Sequence, residues 1–455
     1  MTHVHLIGIG GSGLSAIARL LLESGYSVSG SDRILSDLAH ELAEAGATVY
    51  TGHAPENVRG ADIVVRSSAI PDANPEVQAA LAAGIPVLKR SDFLGRLMSG
   101  RVGIAVAGTH GKTTTTSMLA WLLTACGKDP SYIIGGVSKN LGNNAHAGRG
   151  SAFVIEADEY DRMFLGLNPQ IAVVTVMEHD HPDCYPTPED YRAAFVDFVH
   201  RLQPGGLLIT NADNAETSGL AAEIPAGCRV IRYGLDENAD LRAVNVHRND
   251  QGGFSFRAPA YAGEITLQVP GEHNVRNALA ALAVTRELKI DDAAVAAALA
   301  NFKGTGRRFD VRGEVDGITI VDDYAHHPTE IRATLAAARS RYQSRRIWAV
   351  WQPHTYSRTQ TLLPEFARAF GDADRVIVTA VYAAREKDNG FSAAQVVDRM
   401  QHSNARFIPA LADVRDTLLA ELQPGDVLLV LSAGDADQIS TQVLTALGQK
   451  EEGHV

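Results

Sequence analysis

The sequence has three cysteines among 455 residues, and they lie far apart, at Cys126, Cys184 and Cys228. This spacing matches neither a disulfide framework nor a zinc motif, and it predicts a protein of the reducing cytoplasm. No apolar run approaches the roughly 18 residues that span a bilayer. The first residues show no basic start or cleavage pattern of a secretion signal. We therefore expect neither secretion nor a membrane partner.

Positive charge is also scarce, because 41 Lys and Arg residues stand against 53 Asp and Glu residues, giving a net charge of -12. Binding along a nucleic-acid backbone depends on accumulated Lys and Arg, so this balance argues against a nucleic-acid partner. Any anionic ligand has to be held by local groups instead. The content of 45% hydrophobic and 21% charged residues is typical of a globular protein.

The length predicts about three domains, at roughly 150 residues per domain. Short apolar strands alternate with helices of 3.6-residue period, which is typical of an α/β protein with parallel, helix-wrapped sheets. We place the domains at residues 1–99, 100–310 and 311–455. Within the second domain, residues 238–270 predict a strand-rich insertion, and an Ala-rich helix is predicted from Asn277 onward.

The strongest local motif is a glycine loop between an apolar strand at 102–107 and a long helix. It consists of Gly108-Thr109-His110-Gly111-Lys112-Thr113-Thr114. Glycines let backbone N–H groups turn toward an anion, and the helix N-terminus adds positive potential. Lys112 then reaches the outer phosphates, and the Thr113 hydroxyl lies where Mg²⁺ is held. Val106 stands at the place of the first glycine of a full Walker A motif, but the context still predicts a nucleoside triphosphate site.

A second glycine loop follows the first strand and precedes a helix, with the sequence Gly8-Ile9-Gly10-Gly11-Ser12-Gly13. Asp32 comes at the end of the next strand, about twenty residues later, as a ribose-binding acid does. The loop predicts a diphosphate at this helix N-terminus. Its spacing does not distinguish a UDP-linked substrate from NAD.

Acidic and histidine residues follow two strands downstream of Lys112. The clusters are Glu156-Ala157-Asp158-Glu159-Tyr160-Asp161 and Glu178-His179-Asp180-His181-Pro182-Asp183. Carboxylates at strand ends beside a phosphate loop are typical Mg²⁺ ligands. Such residues taken singly are more often solvated loop charges, but two clusters at two strand ends favour a metal site. Glu156 and His181 are the preferred ligands, although spacing alone does not separate them from their neighbours.

Together these motifs resemble those of the Mur ligase family, and the resemblance runs in order along essentially the whole chain. Besides the two loops and the two clusters, the motifs that carry it are Ser67-Ser68-Ala69-Ile70, Gly271-Glu272-His273-Asn274-Val275-Arg276-Asn277, Gly304-Thr305-Gly306-Arg307-Arg308-Phe309, Asp322-Asp323-Tyr324-Ala325-His326-His327-Pro328, Gln352-Pro353-His354-Thr355-Tyr356-Ser357-Arg358 and Ala383-Ala384-Arg385-Glu386.

The resemblance implies three α/β domains: a Rossmann-like N-terminal domain for a UDP-sugar, a central P-loop ATPase domain with a mostly parallel sheet, and a Rossmann-like C-terminal domain that closes over ATP. It implies that L-alanine is joined to the carboxylate of UDP-N-acetylmuramate through an acyl phosphate, with ATP and Mg²⁺, in peptidoglycan precursor synthesis. Since a carboxylate has to attack a triphosphate, cations are the central requirement of this chemistry. The sequence leaves the oligomeric state open between a monomer and a homodimer.

The resemblance also implies roles for individual residues. The catalytic residues would be Lys112, Glu156, His181 and Arg308, and the metal ligands Thr113, Glu156 and His181. ATP would be bound by the loop residues Gly108, Thr109, His110, Gly111, Lys112, Thr113 and Thr114, with Asn274 at the adenine, Asp323 at the ribose and Arg308 at the γ-phosphate. The UDP-sugar would be bound by Gly10, Gly11, Ser12, Gly13, Asp32, Ser67 and Ser68, with His354 and Arg358 at the muramoyl and alanyl end.

Several points stay open at this level. Family members often carry Thr-Asn where this chain has Thr175-Val176, so the contact of that asparagine is absent or replaced. The main alternative function is a recycling ligase of the same family, which attaches a whole tripeptide to UDP-N-acetylmuramate. The alternatives from other classes are an NAD(P)-dependent oxidoreductase with an accessory ATPase domain and a catalytically idle nucleotide sensor. The base that deprotonates the amine is not identified.

Overall fold

The computed structural model describes residues 1–452, without the side chains of Ser12 and of residues 450–452. The chain forms three α/β domains, each built on a parallel or mostly parallel sheet, which confirms the predicted fold class. Among the described residues, no helix has the length and apolar character needed to cross a membrane.

The N-terminal domain contains a five-stranded parallel sheet in the order β3-β2-β1-β4-β5. Its strands are β1 (His3–Ile7), β2 (Ser27–Asp32), β3 (Thr48–Thr51), β4 (Ile63–Arg66) and β5 (Val87–Lys89). Its helices are α1 (Ser12–Glu23), α2 (Asp37–Glu44), α3 (Pro75–Ala82) and α4 (Arg90–Met98). The chain runs outward from β1 to β2 and later returns to place β4 on the other side of β1. In such sheets ligands bind beyond the carboxyl ends of the strands at this switch point, which is where the first glycine loop lies.

The central domain contains an eight-stranded sheet in the order β13-β12-β11-β10-β6-β9-β7-β8, in which only the β7–β8 pair is antiparallel among the described pairings. The strands are β6 (Val102–Ala107), β7 (Ser131–Ile133), β8 (Ala145–His146), β9 (Ala152–Glu156), β10 (Ile171–Val174), β11 (Leu207–Asn211), β12 (Arg229–Gly234) and β13 (Leu241–Arg242). The helices are α5 (Lys112–Ala125), α6 (Pro188–Val199), α7 (Ala215–Gly219), α8 (His273–Glu287) and α9 (Asp292–Ala300).

The predicted strand-rich insertion is confirmed as a separate antiparallel sheet of β14 (Val244–Arg248), β15 (Phe254–Arg257) and β16 (Ile265–Thr266). The Ala-rich helix is also confirmed, but α8 begins at His273, four residues before the predicted start. Its first turn carries polar side chains, which conceal the apolar periodicity that marks a helix in sequence. The earlier start places Asn274 and Asn277 on one helix, one turn apart.

The C-terminal domain contains a six-stranded sheet in the order β17-β18-β22-β19-β20-β21, parallel except for the β17–β18 hairpin. The strands are β17 (Asp310–Val315), β18 (Ile318–Asp323), β19 (Ile347–Gln352), β20 (Arg375–Val378), β21 (Ala405–Phe407) and β22 (Val427–Ser432). The helices are α10 (Pro328–Tyr342), α11 (Tyr356–Thr361), α12 (Leu363–Phe366), α13 (Ala394–Val397), α14 (Leu411–Glu421) and α15 (Gln438–Glu452).

The N-terminal and central domains share an apolar core. Phe93 and Leu94 of α4 belong to the same buried cluster as Phe164, which lies in the 3-10 segment Tyr160–Gly166 of the central domain. The backbones also approach closely, since a Cβ atom on Gly95 would lie 2.3 Å from the carbonyl oxygen of Gly166. This packing brings the first glycine loop toward the second one.

Candidate functional site

The phosphate loop connects β6 to α5 and is shaped by two glycines with positive φ, Gly108 at 130° and Gly111 at 83°. A Cβ atom at Gly108 would lie 2.1 Å from Thr175 Oγ1, and one at Gly111 would lie 2.6 Å from Asn277 Oδ1. Both positions therefore need glycine for space as well as for backbone conformation. The packing ties the loop to the end of β10 and to helix α8.

The segment with the Thr175-Val176 pair is held by hydrogen bonds to its own backbone N–H and C=O groups. The Thr109 N–H donates to the carbonyl of Val176 at 2.7 Å, and the Glu178 N–H donates to Thr109 Oγ1 at 2.9 Å. Asn214 contributes an amide oxygen that accepts from the Met177 N–H at 3.3 Å. Loop contacts of this kind do not depend on the side chain at position 176.

Lys112 opens helix α5 and bends back over the loop. Its Nζ donates to the carbonyl of Gly108 at 2.5 Å and lies 2.9 Å from the carboxylate of Glu159. Burial alone would lower the pKa of Lys112, but the carboxylates of Glu159, Asp158 and Glu156 outweigh it and raise the pKa. Lys112 is therefore a charged, buried ammonium at the position where an outer phosphate would lie.

Glu159 was not singled out by sequence, although it belongs to the first acidic cluster. Its side chain is 1% exposed, and burial raises its pKa to about 7 in spite of the neighbouring Lys112. The only signal in the sequence was its place within the acidic cluster after β9. The structure places it between the ammonium of Lys112 and the imidazole of His181, whose Nε2 lies 3.7 Å from Glu159 Oε1.

Glu156 ends β9, next to β6, and faces the loop. Its Oε1 accepts from the Thr113 hydroxyl at 3.0 Å, and its Oε2 accepts from the Gly135 N–H at 2.7 Å. Burial raises the pKa of Glu156, which means that its charge is incompletely compensated by the protein. A hydroxyl and a buried carboxylate side by side are the oxygen donors that Mg²⁺ prefers. Thr113 and Glu156 therefore fit a bound Mg²⁺.

His181 lies on the far side of Glu159, with a positive φ of 55°. Burial lowers its pKa, so the imidazole is neutral and has a nitrogen lone pair available for a metal. The compact group of candidate metal-binding side chains in the described part of the chain is a different one: His110, Glu178 and His327, whose ligand atoms lie within 4.8 Å of one another. The structure thus brings His181 into the site without bringing it into a closed ion cage with Glu156.

His110, in the phosphate loop, bridges two domains. Its Nε2 lies 3.0 Å from Glu178 in the central domain, and its Nδ1 lies 3.2 Å from Glu330 of α10 in the C-terminal domain. Burial alone would lower its pKa, but hydrogen bonds to the two carboxylates raise the pKa to about 9. His110 is therefore an imidazolium that pairs with both carboxylates, and this ion pairing accounts for the group better than a metal does.

Glu330 is the functional residue that sequence reasoning missed most clearly. It is the third residue of α10, where its carboxylate accepts from the backbone N–H groups of His326 and His327. It also lies 3.5 Å from Arg308. Its only signal was the capping pattern after the His-His-Pro motif. The capping role explains its position, while the contacts with two cations connect it to the site.

A cleft of about 390 Å³ lies between the central and C-terminal domains, beside the phosphate loop. Residues predicted for ATP that line it are His110, Gly111, Thr113, Thr114, Asn274, Arg308 and Asp323. Asn274 donates to the carbonyl of Pro270 at 2.7 Å and accepts from Asn277 at 3.0 Å, which fixes the orientation of both amides. Asp323 accepts from the N–H groups of Phe309 and Ala325, and burial raises its pKa to about 6. We call this space the nucleotide cleft.

A second cavity of about 540 Å³ lies where all three domains meet, and we call it the acceptor cavity. The predicted residues that line it are Gly13, Thr109, Lys112, Thr113, Glu156, His181, Arg308, His354 and Arg358. Three residues line both spaces: Thr113, Arg308 and Glu330. The two cavities therefore adjoin at these residues beside the phosphate loop, and two of them, Thr113 and Arg308, can hold phosphate oxygens.

Arg358 connects the C-terminal domain to the central domain inside the acceptor cavity. Its Nε donates to Asp180 Oδ1 at 2.7 Å, and both side chains are only 4% exposed. Its NH1 and NH2 groups lie 3.2 Å and 3.3 Å from the Nδ1 atoms of His354 and His181. This buried ion pair joins two motifs that the sequence separates by 178 positions.

The first glycine loop lies at the edge of the acceptor cavity. The Gly10 N–H donates to Asp32 Oδ2 at 3.0 Å, and the Ser67 N–H donates to the carbonyl of Ile7 at 3.1 Å. Asp32, Ser67 and the loop are thus brought together, with exposed Ser68 one residue further on. Gly11 lies in the same turn, and the side chain of Ser12 is outside the described part of the chain.

Arg90 is a second functional residue that sequence reasoning missed. It begins α4, and its guanidinium covers Gly13 so closely that a Cβ atom there would lie 1.6 Å from NH1. The same guanidinium lies 3.6 Å from Asp158 of the central domain. A largely buried cation at the N-terminus of α1 is well placed for an anionic ligand. No motif in the sequence points to it.

Family comparisons agree with this arrangement. The model described as "Mur ligase family, catalytic domain" matches residues 3–102. The model described as "Mur ligase middle domain" matches residues 106–285. The model described as "Mur ligase, glutamate ligase domain" matches residues 307–434. The three matches cover the three domains in order.

Curated relatives are similar along the whole chain. A UDP-N-acetylmuramate–L-alanine ligase of Geobacter sp. (strain M21) is 44% identical over 459 residues, which cover 99% of this chain and 98% of that protein. A protein of the same name from Acidithiobacillus ferrooxidans (strain ATCC 53993 / BNL-5-31) is 44% identical over 456 residues, covering 98% of each chain.

Solved structures show the same architecture. A UDP-N-acetylmuramate–alanine ligase of Thermotoga maritima superposes with a TM-score of 0.82 at 28% identity, covering 99% of this chain and 100% of that one. A murein peptide ligase of Psychrobacter arcticus superposes with a TM-score of 0.72 at 27% identity, covering 98% and 99%.

Proposed function

Since the chain belongs to the Mur ligase family, we propose that it is the ligase that joins L-alanine to the carboxylate of UDP-N-acetylmuramate in an ATP-dependent reaction. The observation that carries the proposal is that the nucleotide cleft adjoins the acceptor cavity, with Thr113, Arg308 and Glu330 lining both. A γ-phosphate bound there would face a carboxylate in the acceptor cavity, which is the arrangement that phosphoryl transfer to a carboxylate requires. The names of the full-length relatives support L-alanine as the amino acid.

The nucleotide cleft would hold ATP through groups of two domains. The phosphate loop 108–114 would bind the phosphates, with Lys112 at the outer ones. Asn274 would contact the adenine and Asp323 the ribose. Arg308, two residues before the first strand of the C-terminal domain, would bind the γ-phosphate. Lys112 and Arg308 together would compensate the charge that builds up when a carboxylate attacks a triphosphate, and each such group typically contributes several kcal/mol to lowering the barrier.

Mg²⁺ would be held by Thr113 and Glu156, with His181 as a further ligand. When bound, Mg²⁺ supplies positive charge at the phosphate oxygens that receive electron density in the transfer. The hydrogen bond from Thr113 orients Glu156, and the Gly135 N–H holds its other oxygen. Glu159 keeps Lys112 in reach of the loop.

The acceptor cavity would hold the UDP-sugar between the N-terminal and central domains. The diphosphate would lie at residues 10–13 under the guanidinium of Arg90, with Asp32, Ser67 and Ser68 toward the uridine. His354 and Arg358 would face the muramoyl and alanyl end. Because the Arg358–Asp180 pair crosses the cavity, closure of the C-terminal domain would complete the site. We place the enzyme in the cytoplasm, and keep the domain divisions near residues 99 and 310.

The reaction would proceed in two steps. The sugar carboxylate attacks the γ-phosphorus of ATP, and the bond to ADP breaks, giving an acyl phosphate. The amine of L-alanine then attacks the acyl carbon, and phosphate leaves with the bonding electrons. The alanyl amine loses its proton in the course of this step. Water has to be kept from the acyl phosphate meanwhile, which the three-domain enclosure favours.

The test is phosphate release from ATP by the purified full-length protein with Mg²⁺ and UDP-N-acetylmuramate, with and without L-alanine. We expect release that requires L-alanine, together with a mass gain of one alanyl residue on the UDP-sugar. Lys112→Met is expected to abolish release. Lys128→Met, at an exposed position three residues beyond the end of the same helix, is the matched control and should retain full activity. Release that does not depend on L-alanine would contradict the proposal.

The second candidate is the recycling ligase, because the murein peptide ligase superposes almost as fully on this chain. Parallel reactions with L-alanyl-γ-D-glutamyl-diaminopimelate in place of L-alanine decide between the two. Phosphate release and a matching mass gain only with the tripeptide would assign the chain to recycling. The roles proposed for Lys112, Glu156 and Arg308 would be the same in both enzymes.

A further inference from the structure

Among the described residues, two arginine–aspartate ion pairs connect the C-terminal domain to one loop of the central domain, residues 178–183. The inner pair, Arg358 with Asp180, is 4% exposed on both sides. The outer pair, Arg385 with Asp183, is 44% and 26% exposed. The inner pair belongs to the enclosed site described above. The outer pair lies at the rim of that site and has no role in the binding or phosphoryl transfer proposed for it.

Four contacts link the outer pair to each other and to Tyr160. Arg385 donates to Asp183 Oδ2 from NH2 at 2.7 Å and from Nε at 3.1 Å. Its guanidinium carbon lies 4.1 Å from the centre of the Tyr160 ring, in a cation–π contact. The Tyr160 hydroxyl donates to the same Asp183 oxygen at 3.2 Å. Each of the three side chains thus fixes the other two, and we call them the rim triad.

The rim triad lies at a defined side of the acceptor cavity. Arg385 and Tyr160 both line the cavity, and the Tyr160 ring contacts His181 edge-on, with centroids 5.1 Å apart. Elsewhere in the lining of this cavity, Arg308 also borders the nucleotide cleft and Gly13 belongs to the first glycine loop, whereas the Arg385 side chain is 44% exposed to solvent. If ATP and the UDP-sugar occupy those two sides, the nucleophile has to approach from the side of the triad.

We propose that Arg385, positioned by Asp183 and Tyr160, determines specificity for the nucleophile by closing this side to anything larger than a single small amino acid. The proposal rests on the function proposed above and adds to it the residues that exclude larger amines. A half-exposed ion pair is readily displaced and reformed, so a small amino acid passes and the triad closes behind it. A peptide would keep the guanidinium away from both Asp183 and Tyr160. Exclusion of a competitor by such a closing contact is a common source of specificity.

The experiment compares kcat/KM of the full-length enzyme for L-alanine and for L-leucine, with the tripeptide L-alanyl-γ-D-glutamyl-diaminopimelate as a third nucleophile. In Arg385→Ala we expect the L-leucine to L-alanine ratio to rise by about tenfold or more, the scale on which a pocket discriminates by one or more methylene groups. Ligation of the tripeptide should also become measurable. Asp183→Asn, which keeps the arginine but weakens its hold, should shift the ratio in the same direction by a smaller factor.

Arg406→Ala is the matched control, because Arg406 pairs with Glu421 on the outside of the same domain at 39% exposure and lines neither cavity. The ratio of kcat/KM for L-leucine to that for L-alanine in this control should stay within about twofold of the wild-type ratio. A ratio for Arg385→Ala within the same limits, or an equal loss for all nucleophiles, would overturn the inference; if that variant does not fold, Asp183→Asn decides. Wild-type enzyme that ligates the tripeptide as well as L-alanine would also overturn it. Wild-type enzyme inactive toward L-alanine would instead refute the proposed function.

Discussion

Glu76 offers a quantitative test of how the N-terminal domain supports the diphosphate loop. Its side chain is fully buried, and it accepts hydrogen bonds from Ser31 Oγ and Asn57 Nδ2, both at 2.6 Å. His5 Nε2 lies 3.5 Å away. Ser31 directly precedes Asp32, which bonds to the glycine loop. The carboxylate therefore holds the end of β2 in place below the predicted diphosphate site.

The magnitude follows from the pKa of Glu76. Burial alone would raise it, but hydrogen bonds from His5, Ser31 and Asn57 outweigh burial and lower the pKa from 4.5 to about 2. A difference of this size corresponds to about 3 kcal/mol of folding free energy, at about 1.4 kcal/mol per tenfold change. Because the folded-state pKa is depressed, this stabilisation is fully present above pH 4.5. It is lost as the pH falls from 4.5 toward 2.

Glu76→Gln should remove most of this stabilisation without changing the side-chain volume. We expect amides of β1 and β2 to exchange hydrogen roughly 30- to 100-fold faster than in wild type at pH 6, measured by mass spectrometry on the full-length protein. Local exchange is the right measure, since three domains do not unfold in one two-state transition. Between pH 6 and pH 4 the wild type loses about 1 kcal/mol of the stabilisation by the Glu76 carboxylate. The ratio of the exchange rate in Glu76→Gln to that in wild type should therefore shrink about fourfold over this range.

The control for this experiment is Glu41→Gln on α2, whose carboxylate pairs with Arg19 at 56% exposure. An exposed pair contributes about 0–1 kcal/mol, so exchange in β1 and β2 should change little. If the ratio of exchange rates between Glu76→Gln and wild type stays constant or grows toward pH 4, the depressed pKa of Glu76 does not stabilise the folded domain. A ratio near one at pH 6 would show that the hydrogen bonds do not stabilise the charged carboxylate.

Three further predictions concern the acceptor cavity. Arg358→Met leaves Asp180 buried without its partner, at a cost of about 3–5 kcal/mol. Small-angle scattering with an ATP analogue and the UDP-sugar should therefore show less domain closure than in wild type. Equal closure in the two proteins would contradict the role of this pair. Thr113→Val removes the hydroxyl beside the candidate Mg²⁺ position, so the Mg²⁺ concentration for half-maximal activity should rise about tenfold or more. An unchanged dependence of activity on Mg²⁺ concentration would exclude Thr113 as a ligand. Gly13→Ala would force the guanidinium of Arg90 away from the glycine loop. The KM for UDP-N-acetylmuramate should then rise while the KM for ATP stays constant. A rise in both KM values would indicate a general disturbance of the structure and contradict a local role.

The parts of the site that are contiguous in the chain could be predicted from sequence. The phosphate loop needs a buried strand, glycines at the turn and a helix start, and all three lie within residues 102–125. The first glycine loop and the carboxylate at the end of β9 follow the same logic. Hydrophobic periodicity and glycine placement act over a few residues, so they can be read without the fold. The family motifs added the order of the domains and the expected substrates.

The residues that complete the site come from distant parts of the chain, and only the tertiary structure brings them together. Glu330 reaches His110 because the start of α10 lies against the phosphate loop, and Arg90 covers Gly13 because α4 begins beside the N-terminus of α1. The early start of α8 was concealed by its polar first turn. Such contacts depend on how three sheets dock, and docking is set by side-chain packing over the whole interface, not by any local pattern. The sequence by itself therefore determined the chemistry of the loops, while the docking of the domains decided which side chains surround them.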